Sequence, residues 1–149
     1  MSVKISEICD GIATTLSVAT GVKSWTLYNE VSEGIPNLDC PRLEVHPDSG
    51  TTDPTGGTDR STFGAGVQLM AASILVDLYV CQRSQMHDDM KDAVDLIDAI
   101  SDVLETEERP PFFGEAGVKA YSWNFRRVTF VRSGALYMGV RFTINCRIF

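Results

Sequence analysis

The stretch ALYMGVRFTINCRIF, residues 135–149, decides how this chain is read. Taking every second residue gives Leu136, Met138, Val140, Phe142, Ile144, Cys146 and Ile148, with no polar member. The residues between them are Ala135, Tyr137, Gly139, Arg141, Thr143, Asn145, Arg147 and Phe149, and these are mostly polar. Successive side chains of a strand point to opposite sides, so the alternation predicts a long strand with one buried and one partly wet face. Upstream, Val118 to Arg132 is rich in β-branched and aromatic residues, and Ser133-Gly134 separates the two runs. A two-residue loop ending in glycine predicts a closing antiparallel hairpin.

That loop also sets a register. It pairs Arg132 with Ala135, and counting outward puts Val131 opposite Leu136, Phe125 opposite Phe142 and Trp123 opposite Ile144 on the apolar face. The other face pairs Ser122 with Asn145, Asn124 with Thr143 and Arg126 with Arg141. Two guanidinium groups side by side repel, so the pair requires either water or a carboxylate between them. Two solvated arginines satisfy that condition. So does a face that docks acidic side chains.

The 149 residues predict one domain, long enough for a proper core. The apolar share of 44% and charged share of 22% suit a globular protein, and the net charge of −7 argues against a phosphate-gripping surface. Glu7 and Asp10 interrupt the first candidate signal segment, and no apolar run is long enough to cross a bilayer, so a cytosolic product without membrane contact is expected. Cys9, Cys40, Cys81 and Cys146 are widely spaced, without a C-x-x-C pair or a histidine at ligand spacing. Buried thiols are expected, and neither a metal nor a cofactor.

Ile5, Ile8, Cys9, Ile12 and Leu16 recur at helical spacing and predict a first helix stopping near Gly21, with Trp25 to Asn29 as a short extended piece. Residues 37–46 predict a strand, and Pro41 marks it as an edge or as the strand's start. Residues 47–66, PDSGTTDPTGGTDRSTFGAG, read as a long polar hairpin loop without the order of a phosphate-binding loop. Residues 67–82 predict a second long strand, with Ile74, Val76, Leu78 and Val80 on one side and Leu75, Asp77, Tyr79 and Cys81 on the other. Residues 85–106 predict the strongest helix. Its apolar stripe is Met86, Met90, Ala93, Val94, Ile97, Ile100, Val103 and Leu104, and its opposite side holds Asp88, Asp92, Asp95, Asp98, Asp102 and Glu105. The fold class is therefore α+β, in the order helix-strand-strand-helix-strand-strand, with an antiparallel sheet and the helices packed on one face.

Chemistry is hard to find. His46 and His87 stand in no motif and read as lone surface histidines, and the helix aspartates point outward together rather than forming an acid–base pair. No nucleophile elbow, zinc-protease or dinucleotide-binding pattern occurs, so no catalytic residue is assigned.

The element order resembles a known family. A helix precedes IPNLDCPRLEVHP, a long polar loop, ASILVDLYV, the helix MHDDMKDAVDLIDAISDVLE and a hairpin ending YMGVRFTINCRIF. This is similar to the tail terminator, or tail completion, proteins of long-tailed bacteriophages, and to the related neck proteins. The resemblance implies a structural virion protein, assembled in the host cytoplasm, that forms a homo-oligomeric ring, usually a hexamer, at the head-proximal end of the tail. Its implied partners are its own copies, the tail tube protein and a head–tail connector or neck protein. DNA would pass through its channel without specific binding.

A ring needs two complementary patches per subunit. Arg126, Arg141 and Arg147 are the expected basic patch, and Asp92, Asp95 and Asp102 the acidic one. The loop, with Asp53, Asp59, Arg60 and Phe63, is the segment expected to order on docking. Two alternatives remain: a neck or head-completion ring on the portal side, and a ligand-binding or enzymatic α+β domain with the loop as a lid.

Overall fold

A computed structural model of the chain describes residues 4–27, 40–52, 69–82, 86–106, 112–114, 117–132 and 134–148. The first helix, α1, spans Ile5–Leu16. Strands β1 (Ser24–Leu27), β2 (Arg42–Thr52) and β3 (Leu69–Gln82) follow, then helix α2 (Met86–Thr106). A 3₁₀ turn at Phe112–Gly114 leads to β4 (Val118–Arg132) and β5 (Ala135–Ile148). The fold is α+β, built on a five-stranded mixed sheet in the order β1-β2-β3-β5-β4.

The closing hairpin has the register its two-residue loop dictates. Arg132 pairs with Ala135, Arg126 with Arg141, Phe125 with Phe142 and Trp123 with Ile144. Gly134 turns the chain at φ +76°, a conformation that glycine adopts without steric cost.

The sheet departs from the expected antiparallel form at one edge. β1 pairs parallel with β2, Ser24 beside Arg42 through Leu27 beside Val45, and so adds a strand to the expected order. The strand overlaps the short extended piece expected at Trp25 to Asn29, but a four-residue run shows no alternation from which its parallel partner could be read. β2 also runs past His46 to Thr52, so residues 47–52 of the expected loop are strand. Pro47 pairs with Ile74 just before a register break. At that point β1 has ended and β2 is itself an edge, where a missing N–H is tolerated. Pro41 lies immediately before β2, consistent with the strand's start.

The core contains Ile8, Cys9, Ile12, Ala13 and Leu16 from α1, and Ala93, Leu96, Ile100 and Leu104 from α2. The strands contribute Leu43 and Val45, Ile74, Val76, Leu78 and Val80, and the alternating set from Met138 to Ile148. Two expectations fail here. Val94 is 48% exposed, and Leu96 takes its place in the stripe; at about 100° per residue Val94 sits well round the helix from Ala93. On the hairpin, Val131 is 68% exposed, and Phe125 and Leu136 are also exposed. The apolar face therefore continues past the core that covers it.

Glu7 accepts a hydrogen bond from the Lys4 backbone N–H at 3.1 Å and fixes the start of α1. Tyr121 on β4 donates its hydroxyl proton to the Leu104 carbonyl near the end of α2. Cys9, Cys40 and Cys146 are buried free thiols, as expected. Burial pushes Cys9 up to about 11 and Cys146 up to about 12, so both stay protonated.

Candidate functional site

The strand residues on the side opposite Val76 and Phe142 carry most of the charge held inside the fold. One transverse row crosses all five strands: Thr26 beside Glu44, Glu44 beside Asp77, Asp77 beside Arg141, and Arg141 beside Arg126. Like charges therefore meet twice, carboxylate beside carboxylate and guanidinium beside guanidinium. Glu44 is 2% and Asp77 3% exposed, so water cannot screen the first pair. Buried carboxylates need cations and hydrogen bonds of their own.

Each has them. Arg141 grips Asp77 with a fork, Nε to Oδ1 at 2.7 Å and Nη2 to Oδ2 at 3.0 Å. His46 Nε2 lies 2.9 Å from the same Oδ2. Glu44 Oε1 accepts from Arg132 Nη1 at 2.5 Å, with Arg42 Nε a longer 3.8 Å away. The arginines also cover rings: Arg132 stands 5.3 Å over Tyr79 and Arg141 5.7 Å over Phe130. Tyr79 in turn packs on Phe130 at 4.4 Å and edge-on to Tyr137 at 5.8 Å, making a second small core with Cys40.

The Arg132–Glu44 bond measures the curvature of the sheet. In a flat sheet their Cα atoms would stand roughly 24 Å apart, from about 20 Å along the strands and about 14 Å across them. Two such side chains joined head to head span roughly 13 Å at most. The hairpin therefore arches over its own sheet. The bend is placed by a register break between Tyr79 and Cys81 on β3, opposite Gly139 and Met138. Gly139 completes it, because a Cβ there would lie 2.2 Å from the Phe130 ring and 2.4 Å from the Leu78 carbonyl oxygen.

The protonation states follow from these contacts. Burial pushes the Asp77 carboxyl up, but the bonds from His46 and Arg141 outweigh it and hold the group below the usual carboxylate range. The hydrogen bond to Asp77 raises His46 above its ordinary value against the opposing effect of burial. Burial, with the Glu44 carboxylate beside it, pushes the Tyr79 hydroxyl up to about 12. Both carboxylates are covered by guanidinium groups and nearly closed to solvent. Their arrangement clamps the hairpin to the sheet.

No protein-family model matches this chain, and no curated protein matches it.

The expected site residues are scattered. Arg126 is exposed on β4, the last strand of the sheet, and makes no ion pair among the described residues. Arg141, by contrast, is bonded to Asp77 of its own chain, so its charge is already neutralised. Arg147 is exposed and borders a hollow of about 280 Å³ with Ser49, Ser73, Ser122 and Asn145. Asp92, Asp95 and Asp102 are exposed on α2, together with Asp98. Asp53, Asp59, Arg60 and Phe63 lie outside the described residues.

Glu44, Asp77, His46, Arg132 and Tyr79 are not among the site residues expected from the sequence. The available signal was Asp77, an acid inside the otherwise apolar run ASILVDLYV. His46, read as a lone surface histidine, has a carboxylate partner instead. Among the described residues no group of three His, Cys, Asp or Glu side chains could hold a metal ion. None of the described helices is long and apolar enough to cross a membrane.

Proposed function

We propose that this chain is a ring-forming structural subunit of a long-tailed bacteriophage. In this reading it is a tail terminator with its helices on one face of the sheet, sitting in the virion at the head-proximal end of the tail tube. Copies of the chain, about six in the family it resembles, close into a ring that ends tube growth and offers a surface to the head–tail connector. The channel passes DNA without holding it, as suits a chain of net charge −7.

The observation that carries the reading is the outer edge of β4. The strand is 15 residues long, ends the sheet, and has no partner on its outer side among the described residues. Folded monomers avoid long open edges that also show apolar side chains, and this one shows Phe125 and Val131. The clamp through Arg132 and Arg141 holds that edge in a fixed shape, as a repeated contact requires. Arg126 and the α2 aspartates supply charges of opposite sign on separate surfaces, which a head-to-tail ring needs.

Light scattering over a concentration and salt series tests it. A ring, or a monomer that becomes a ring on tail tubes, supports the reading. A ring that ignores tubes but binds the portal side would make it a neck protein. A monomer indifferent to both overturns it, and the serine-lined hollow beside Arg147 then becomes the place to look for a ligand.

A further inference from the structure

We infer that the hollow beside Arg147 binds a small oxyanion, a phosphate or carboxylate group, through the Arg147 guanidinium together with Ser73, Ser122 and Asn145. This goes beyond the ring reading and does not depend on it.

The hollow of about 280 Å³ is formed by two adjacent rows of side chains on one face of the sheet. Ser49, Ser73, Asn145 and Ser122 stand side by side on β2, β3, β5 and β4. In the next row Arg147 stands between Ala71 and Ala120. Ser73 is four residues from Asp77, and Asn145 and Arg147 are four and six from Arg141, so all of them share the face of the clamp, away from the core. Strand positions commonly carry β-branched or aromatic side chains. Here the neighbours of the arginine are alanines and serines, which leaves space beside the guanidinium.

Charge and hydrogen bonding say what fits that space. No carboxylate lines the hollow, although the chain as a whole carries a net charge of −7. Arg147 makes no ion pair among the described residues, unlike Arg132 and Arg141 on the same face. The side chains of Ser49, Ser73, Ser122 and Asn145 make no hydrogen bond among the described residues, so three hydroxyls and a carboxamide have donors to spare. A guanidinium fork takes two oxygens of a carboxylate or phosphate, and hydroxyl and amide donors take those that remain. The volume is at the small end for ligand sites and suits one anionic group better than a nucleotide.

The backbone supports the same place. The ladder breaks between Pro47 and Ser49 on β2 and between Val118 and Ala120 on β4, which extrudes Asp48 and Lys119. Bulges bend a strand and re-aim its side chains, and one stands near each end of the four-strand row. The Asp48 charge acts on Arg141.

Ligand-observed NMR on the full chain, in whatever assembly it adopts, tests the site. Inorganic phosphate, followed by its phosphorus line width, and isotope-labelled acetate are titrated separately, with sodium chloride holding the ionic strength constant. Saturable broadening is expected, and the anion that saturates at the lower concentration names the group. Arg147→Gln should raise the half-saturating concentration at least about tenfold. Ser73→Val keeps the arginine but fills the hollow from an interior strand, and should weaken binding as well. Thermal melts confirm that both variants fold as the parent does, and Ser122→Val on β4 replaces Ser73→Val if the latter does not. Lys23→Gln removes the same charge beside β1, away from the hollow, and should bind as the parent does. Absence of saturation with both anions overturns the site. So does parental binding by Arg147→Gln or by the hollow-filling variant. An equal loss in Lys23→Gln also overturns it, because the attraction would then belong to positive charge in general.

Discussion

Asp77 and Phe142 occupy adjacent strands of one sheet, and both are buried, yet they depend on their surroundings in different ways. Phe142 needs volume and apolar neighbours, which Trp123 and Phe125 supply at ring distances of 6.2 and 5.9 Å. Asp77 needs named atoms at fixed places, two nitrogens of Arg141 and one of His46. The apolar face tolerates repacking if volume is kept, whereas the polar face tolerates loss only in matched pairs. The largest effect expected is on the apolar side. Phe142→Ala should destabilise the fold by about 3–5 kcal/mol, read from urea unfolding.

Next comes the sharper contrast. Arg141→Met leaves a buried carboxylate facing only His46 and should cost about 3 kcal/mol. Adding Asp77→Leu to Arg141→Met should recover most of that loss, because the uncompensated charge is gone. If the double variant is as unstable as the single, the two faces do not differ in the way described. Gly139→Ala should follow at about 2 kcal/mol, since the new methyl meets the Phe130 ring and the Leu78 carbonyl at the bend. A smaller residue at position 130 should relieve the ring clash but not the backbone one, so its rescue is expected to be partial.

The difference between the faces also explains what could be foreseen. The register of the closing hairpin followed from its two-residue loop and its alternation, down to Arg126 beside Arg141, although the burial of Phe125, Val131 and Leu136 did not. The sequence demanded water or a carboxylate at that pair, and the fold uses both: Asp77 for Arg141 and solvent for Arg126. That Asp77 is the carboxylate depends on β3 lying next to β5, an arrangement that no periodicity encodes. The bond from Arg132 to Glu44 depends further on the bend at Gly139. Apolar faces announce themselves by repetition along one segment, while a buried ion pair is assembled from single residues on distant strands. The same reasoning covers β1, whose parallel partner is set by the tertiary fold.

His46 gives a smaller, pH-dependent test of the polar face. Its pKa is raised in the folded state, so the stability it contributes is complete below its unfolded value, about 6.5, and is lost as pH rises through the folded value. Asp77, with a lowered pKa, works in the opposite direction. Its contribution is present above the unfolded carboxylate value, about 4, and is lost as pH falls through the folded one. The pair should therefore contribute most between about pH 4.5 and 6. Urea midpoints should fall on going from about pH 5.5 to about pH 8, and His46→Gln should flatten that fall. An unchanged slope in the variant would show that His46 does not act through Asp77.

Arg126 should have the smallest effect on stability. It is exposed and makes no ion pair among the described residues, so Arg126→Ala should alter stability by no more than about 0.5 kcal/mol. Arg141, its direct neighbour with the same side chain, should differ from it severalfold. What separates the two is only which strand lies alongside: β3 with Asp77 beside β5, and nothing described beyond β4. Relief of repulsion from Arg141 would make the Arg126 variant slightly more stable, and unfolding at low salt should enlarge that gain because less screening acts on the exposed member. A loss of a full kcal/mol or more would mean that Arg126 has a partner inside its own chain. The hairpin would then carry a second structural clamp like the one at Asp77, and Arg126 would no longer count as a solvated charge.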